Sequence, residues 1–164
     1  MKIIVIGLTT ALISFASFAM NNGHSADHGA INTQFRKIQS NGITLSHFHA
    51  RASIGRNKNS AIYGKIQTAK TERLISISTS FASAAELHEH IYDDGVMRMR
   101  KVEGGLTINP GQPMVMKQRG YHIMLVGLHQ KLIAGNLIDL ALEFESGQIL
   151  DISVPVVSIK KIHH

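Results

Sequence analysis

The amino-acid sequence predicts a single all-β domain of the sandwich or barrel type. Short runs of β-branched and apolar residues recur along the chain, and Gly, Pro, Asn or Asp separate them at close intervals. The only plausible helical segment, SFASAAELHE at residues 80–89, is short. Frequent short strands with turn signals between them are typical of antiparallel sandwiches and barrels rather than of βαβ units.

The first half of the domain supplies two clear strands and a hairpin. ITLSHFHARAS (residues 43–53) and SAIYGKIQTA (60–69) are joined by the Gly- and Asn-containing segment IGRNKN. RLISISTS (73–80) alternates along its length, as a half-buried strand does. AAELHEH (84–90) then leads through the turn IYDDG into VMRMRKV (96–102).

The second half continues the same pattern. LTINP (106–110) and PMVMK (113–117) flank a Pro/Gly turn, and YHIMLVGL (121–128) follows the turn KQRG. The last pair, LIDLALEF (137–144) and ILDISVPVV (149–157), is separated by ESGQ. We find no internal repeat and no sign of a second domain.

The beginning of the chain has the pattern of a secretory signal peptide. Lys2 precedes an apolar stretch from Ile3 to about Ile13, and small residues end it at Ala19. The stretch is shorter than the roughly 20 apolar residues that a membrane span needs, so we expect no stable membrane insertion after cleavage. The predicted organisation is a signal peptide (1–19), a flexible His-containing segment (20–40), a β domain (41–158) and a basic, His-bearing tail (159–164).

Cysteine is absent from the sequence, although export usually leads to an oxidising compartment. A metal site in this chain therefore has to use imidazole, thioether or carboxylate ligands, which excludes Cys-based zinc, iron–sulfur and blue-copper centres. The formal net charge of +6 comes from dispersed Lys and Arg residues without interleaved aromatic residues. We therefore expect a solvated basic surface and no nucleic-acid partner, with an acidic docking partner as the open alternative.

Histidine and methionine recur together in two segments. His88 and His90 precede Met97 and Met99, and His122 and Met124 interrupt an apolar run. Alternate side chains of a strand share a face, so each segment presents its pair on one side. Thioether sulfur suits Cu(I) much better than Zn(II), Mg(II) or Ca(II). Methionine also commonly fills gaps in a core, so spacing alone leaves a copper site and simple packing both open.

The sequence resembles the periplasmic copper chaperones of the PCu(A)C type. The resemblance lies in the His88 segment, in GVMRMR (95–100), in GYHIMLVGL (120–128) and in KLIAGNLIDLALEFESGQILDISVPV (131–156), and it extends from about Ile43 to Val157. Its motif is a histidine, a methionine about ten residues later and a His-x-Met about two dozen residues beyond.

The resemblance implies a cupredoxin-like Greek-key β-barrel or sandwich. It also implies Cu(I) ligands at His88, Met99, His122 and Met124, with Met97 in a supporting or packing role. The implied function is a periplasmic Cu(I) carrier that delivers copper to the binuclear copper centre of cytochrome c oxidase. The implied partners are the copper-bearing subunit of that oxidase and a thiol-bearing assembly factor.

The remaining histidines form pairs and single residues. His90 matches no ligand position and is expected to support the site or to be exposed. Imidazole suits Cu(II) and Zn(II), so three pairs are candidates for secondary metal binding, with simple solvation or capping of a sheet face as the alternative. These pairs are His24 with His28, His47 with His49, and His163 with His164.

An enzyme and a copper-buffering protein are the two other classes of function. Neither a GxSxG nor an HExxH motif occurs, and a set of two imidazoles and two thioethers lacks the water-bearing position of a hydrolytic metal site, so we expect no enzyme activity. A copper-buffering or resistance protein without an oxidase recipient would use the same ligands. The sequence therefore leaves delivery and buffering as alternatives.

Overall fold

A computed structural model describes residues 37–158 of the chain and contains eleven strands in that range. They are β1 (Ile38–Ser40), β2 (Ile43–Arg51), β3 (Ser60–Thr68), β4 (Glu72–Ser78), β5 (Ala82–Asp93), β6 (Val96–Lys101), β7 (Leu106–Ile108), β8 (Met114–Met116), β9 (His122–Leu128), β10 (Leu137–Phe144) and β11 (Ile149–Val157). The predicted signal peptide, most of the predicted flexible segment and the C-terminal tail lie outside these residues.

The all-β prediction is confirmed, since residues 37–158 contain no α-helix. The prediction of a helical piece at residues 80–89 is wrong, because residues 82–89 belong to β5. β5 lies between β6 and β9 and pairs with both, so two rows of backbone hydrogen bonds outweigh the local preference of Ala and Glu for helix. No helix of the described residues is long and apolar enough to cross a membrane.

The strands follow one path, in the order β6-β5-β9-β3-β2-β11-β10-β4-β7, with β1 beside β2 and β8 beside β3. All pairs are antiparallel except β11 with β2, which pair in parallel at Val156 and Val157. Most of β11 pairs with β10 instead, so this strand joins the β2 side of the sheet to the β10 side. Since the path ends at β6 and β7, the sheet formed by residues 37–158 is not closed into a ring.

One hydrophobic core links the two sides of the sheet. Side chains from β2, β3 and β9 pack in the same cluster as side chains from β4, β10 and β11. Each fully buried large side chain stabilises the fold by roughly 1.5–3 kcal/mol relative to exposure. The largest of them include Leu45, Ile62, Leu74, Ile123, Leu140, Leu142, Phe144 and Val154.

A two-residue turn fixes the register of the β5–β6 hairpin. Asp94 and Gly95 both have positive φ angles, 49° and 76°, and Asp93 pairs with Val96 across the turn. Asp-Gly is a preferred sequence for a turn with two positive φ values, whose twist matches that of the strands. The resulting register places Met99 directly opposite His90.

Candidate metal centre

The predicted ligands lie on the face of the β6-β5-β9 strands that points away from the core. Leu87 and Ile123 are buried in the core, so the residues next to them in sequence point to the opposite face. His88 on β5 pairs directly with His122 on β9. Met99 on β6 pairs with His90 and therefore shares that face. Histidine and methionine side chains from three adjacent strands thus lie on one surface.

His122 contacts Met99 although β5 lies between their strands. The His122 Nε2 atom lies 3.1 Å from Met99 Sδ, and the Nδ1 atom lies 3.0 Å from the carbonyl oxygen of Gly120. A carbonyl can only accept, so it assigns the single proton of a neutral imidazole to Nδ1. Nε2 then presents a lone pair to the lone pairs of the thioether. A nitrogen and a sulfur atom that present their lone pairs at the same place can together bind a soft cation.

Burial keeps His122 neutral. The residue is 4% exposed, and desolvation lowers the pKa of its imidazole below the ordinary value of 6.5. The hydrogen bond to Gly120 acts against this shift, whereas the charges of His90, His88 and Arg51 add to it. A neutral imidazole is the form that ligates metals. His122 is therefore available as a ligand at neutral pH.

His88 is oriented by a carboxylate. Its Nε2–H donates to Glu86 Oε2 at 3.0 Å, and the other Glu86 oxygen accepts from Lys101 Nζ at 3.0 Å. The hydrogen bonds to His88 and then to Lys101 lower the pKa of the Glu86 carboxyl. His88 Nδ1 is buried and has no hydrogen-bond partner among residues 37–158. The Glu86 contact therefore leaves Nδ1 as the nitrogen available to a ligand, an arrangement typical of histidines in metal sites.

Two other methionines, Met124 and the predicted supporting residue Met97, lie on the same face of the sheet. Met124 follows His122 by two residues on β9, is half-buried, and pairs with Glu86 on one side and Ala61 on the other. Met97 lies two residues before Met99 on β6 and pairs with Tyr92 near the hairpin turn. Met97 is 38% exposed and Met99 is 47% exposed, so neither sulfur belongs to the core.

His90 lies closer to His122 than His88 does. The ring centroids of His90 and His122 are 5.1 Å apart, against 5.9 Å for His88 and His122. His90 Nδ1 also lies 3.4 Å from the Gly120 carbonyl oxygen that accepts from His122. Glu86 and Gly120 were missed in the sequence analysis. The spacing of Glu86, two residues before His88, is the signal that could have identified that carboxylate.

Of the three histidine pairs predicted as secondary metal sites, one lies within the described residues. His47 and His49 lie on β2, where a register shift between Ser46 and His49 interrupts the alternation. His47 is exposed with a φ of 58°, while His49 donates from Nδ1 to the His47 carbonyl oxygen at 2.9 Å and packs 5.5 Å from the Tyr63 ring. His24, His28, His163 and His164 lie outside the described residues.

The donor atoms on this face are imidazole nitrogens and thioether sulfurs. Within residues 37–158, no three His, Asp or Glu side chains converge closely enough to hold a metal ion. The donors present, neutral imidazole and thioether, fit Cu(I) and add no negative charge for a harder divalent cation.

The strand order and the His/Met-lined face define the chain as a domain with the cupredoxin-like fold of PCuAC domains. A copper-bound PCuAC domain from PmoF2 superposes with a TM-score of 0.63 at 18% identity, covering 75% of this chain and 98% of that one. CuI-DR1885 from Deinococcus radiodurans gives 0.54 at 20% identity, covering 77% and 83%. At these identities the likeness establishes the fold.

The chain belongs to the LpqE-like family, described as "Putative lipoprotein LpqE-like", which it matches over residues 43–156. A curated relative, "Putative lipoprotein Lxx21020" from Leifsonia xyli subsp. xyli, is 29% identical over 153 residues. The match covers 93% of this chain and 84% of that protein. The matched family segment includes all eleven strands except β1 and the last residue of β11.

Proposed function

We propose that the chain is an exported Cu(I)-binding carrier without catalytic activity, with its site at His88, Met99, His122 and Met124. The observation that carries this proposal is the contact of His122 Nε2 with Met99 Sδ, in which the Gly120 carbonyl directs the imidazole lone pair at a thioether. Burial keeps that imidazole neutral. The pair offers one soft thioether and one imidazole at the same place, and both donors are uncharged.

The second imidazole supports the same assignment. His88 has one nitrogen engaged by Glu86 and the other buried without a partner in the described part of the chain. A buried polar atom without a partner costs free energy, and a bound cation would remove that cost. The carboxylate behind His88 raises the basicity of the imidazole and fixes its orientation. Met124 supplies the second thioether on the same face.

The structural neighbours are consistent with this proposal. One neighbour is named as a copper-bound PCuAC domain and another as the Cu(I) form of DR1885. The lipoprotein names of the family and of the relative favour a location in the cell envelope. We propose the periplasm as the compartment, where a site built from thioethers rather than thiols cannot be lost to disulfide formation.

Delivery is the second part of the proposal. Neutral imidazole and thioether ligands bind Cu(I) without charge neutralisation, so the ion can pass to a site with thiolate ligands. The proposed recipient is the binuclear copper centre of cytochrome c oxidase, reached alone or with a thiol-bearing assembly factor. A strain lacking the gene should then have oxidase deficient in copper. Copper sensitivity with normal oxidase would instead assign the protein to copper buffering.

X-ray absorption on the mature chain with one equivalent of Cu(I) tests the site. We expect both nitrogen and sulfur scatterers around copper, and their loss in a variant with His88→Ala, Met99→Leu, His122→Ala and Met124→Leu combined. Circular dichroism of that variant establishes that it folds. A first shell without sulfur in the wild type would make the methionines packing residues and would contradict the Cu(I) proposal.

A further inference from the structure

The positions of the four proposed ligands in the sheet are spread along the strands. Met99 on β6 pairs with His90 of β5. His122 and Met124 on β9 pair with His88 and Glu86 of β5, respectively. Successive rows are two residues apart, so the Met99 row and the Met124 row are separated by about 13 Å along the strand. The two thioethers thus lie at opposite ends of the site, with His122 between them.

His90 occupies the end of the site where Met99 lies. Met99 and His90 are direct cross-strand partners, and His122 leans from β9 over β5 toward both of them. The His90 and His122 ring centroids are 5.1 Å apart. Opposite this end, β9 has not yet begun and Gly120 brings no side chain, and the neighbours of His90 include the His122 ring and the Gly120 carbonyl.

The same backbone carbonyl orients both imidazoles. Gly120 O accepts from His122 Nδ1 at 3.0 Å and lies 3.4 Å from His90 Nδ1. A carbonyl oxygen has two lone pairs and can accept from both rings. With a proton on each Nδ1, both Nε2 atoms carry lone pairs. The Met99 end of the site therefore has two imidazole donors and one thioether donor.

We propose that His90 is a copper ligand, and that His90, His122 and Met99 form an outer donor set which overlaps the inner set of His88, His122 and Met124 at His122. This inference rests on the proposed Cu(I) function. The outer set reaches the edge strand β6, where Met99 is 47% exposed. The bound ion is distributed over both sets and exchanges with solvent through the outer one, with His122 retained as a ligand throughout.

The proposal predicts a specific pattern of coupling between substitutions. His90→Gln should reduce Cu(I) affinity by at least about tenfold, since the loss of a group that only supports a metal ligand already costs about 10- to 100-fold. The same substitution should have little effect in a Met99→Leu background, because the outer set is already broken there. In a Met124→Leu background its effect should be at least as large as in the wild type. His129→Gln, a change in an exposed histidine that hydrogen-bonds to Ser80 and Ser83, is the matched control.

Competition with a chromophoric Cu(I) chelator measures these affinities, and imidazole ¹⁵N shifts during titration with Cu(I) report which rings bind. A shift of a His90 ring nitrogen with the first equivalent, together with the coupling to Met99, supports the outer set. Equal losses from His90→Gln in all three backgrounds, or an unshifted His90 ring in a protein that binds Cu(I), would overturn it. If wild-type protein bound no Cu(I), the proposed function itself would fail, which is a distinguishable result.

Discussion

His122 on β9 and Met99 on β6 touch across an intervening strand, with Nε2 and Sδ 3.1 Å apart. The axes of β6 and β9 are separated by two inter-strand spacings, or about 9–10 Å. The contact forms because the Gly120 carbonyl holds one edge of the imidazole and thereby directs the other toward β6. The His122 imidazole and the Met99 thioether are therefore in contact although their strands are not adjacent in the sheet.

Replacing Met99 with Leu should lower Cu(I) affinity by more than about tenfold. Leucine preserves the volume but removes the sulfur that faces His122, and the exposed position should keep the change in unfolding free energy below about 1 kcal/mol. Met97→Leu is the control, since Met97 lies on the same strand and face but pairs with Tyr92. Chelator competition measures both variants. Equal losses of Cu(I) affinity in the Met99→Leu and Met97→Leu variants would contradict a specific role for Met99 as a ligand.

The Glu86 carboxylate should contribute to copper affinity without contacting the ion. Glu86→Gln weakens the hydrogen bond that fixes His88, so affinity should fall by about 10- to 100-fold, the range typical of such supporting partners. Glu89→Gln is the control, because Glu89 forms an ion pair with Arg100 and is adjacent in sequence to His88 without bonding to it. An unchanged affinity in Glu86→Gln, measured beside the His88→Ala variant, would contradict this role for the carboxylate.

The lowered pKa of His122 should appear in both stability and copper retention. Its folded-state pKa lies below the unfolded value of about 6.5, so the unfolded chain binds more protons in acid. The contribution of neutral His122 to stability is complete above about pH 6.5 and is lost as the pH falls toward the folded pKa. Protons should likewise displace copper from His122 only below the pH at which an ordinary histidine is protonated.

Urea unfolding of the apo protein between about pH 4.5 and pH 7.5 measures this effect against His122→Gln. The stability of the wild type should fall more steeply with decreasing pH than that of the variant, because the variant lacks the His122 contribution. His49, whose pKa is also lowered by burial, contributes equally to both proteins. Parallel curves would mean that His122 does not titrate at a lowered pKa. NMR titration of the imidazole gives the folded-state value directly.

Gly64 should be required for packing rather than for copper. A Cβ at this β3 position would lie 2.8 Å from the Phe48 ring, so Gly64→Ala should destabilise the fold by about 1–3 kcal/mol through overpacking. Adding Phe48→Leu removes ring atoms at the contact, and the double variant should lose less stability than the two single changes predict together. Thermal unfolding measures the cycle. Strict additivity would show that Phe48 is not the clashing group.

Sequence reasoning identified most strands but missed two features that depend on neighbours. β2, β3, β10 and β11 coincide closely with the predicted runs, because alternation and turn residues are local signals. The Ala- and Glu-containing start of β5 was predicted as a possible helix, since its pairing with both β6 and β9 is not visible locally. β1 was also missed, because three residues joined to β2 by an Asn-Gly turn carry little pattern of their own.

The candidate site was likewise predicted only in part from the sequence. The motif identified His88, Met99, His122 and Met124 as residues of one chemistry, but it gave no distance between any two of them. The supporting role expected for Met97 stays a prediction, as do the secondary sites at His47 and His49. The carboxylate of Glu86, the carbonyl of Gly120 and the nearness of His90 to His122 became visible only with the strand register.

The sequence by itself determined the class of fold and the kinds of donor atoms available. Alternation and turn residues specify strands locally, and a chain without cysteine leaves thioether as its soft ligand and imidazole as its nitrogen ligand. Only the tertiary structure decided which donors meet and which nitrogen of each imidazole faces the site. Those choices depend on pairing between strands that are distant in sequence, and on hydrogen bonds to a backbone carbonyl and a carboxylate that no local pattern encodes.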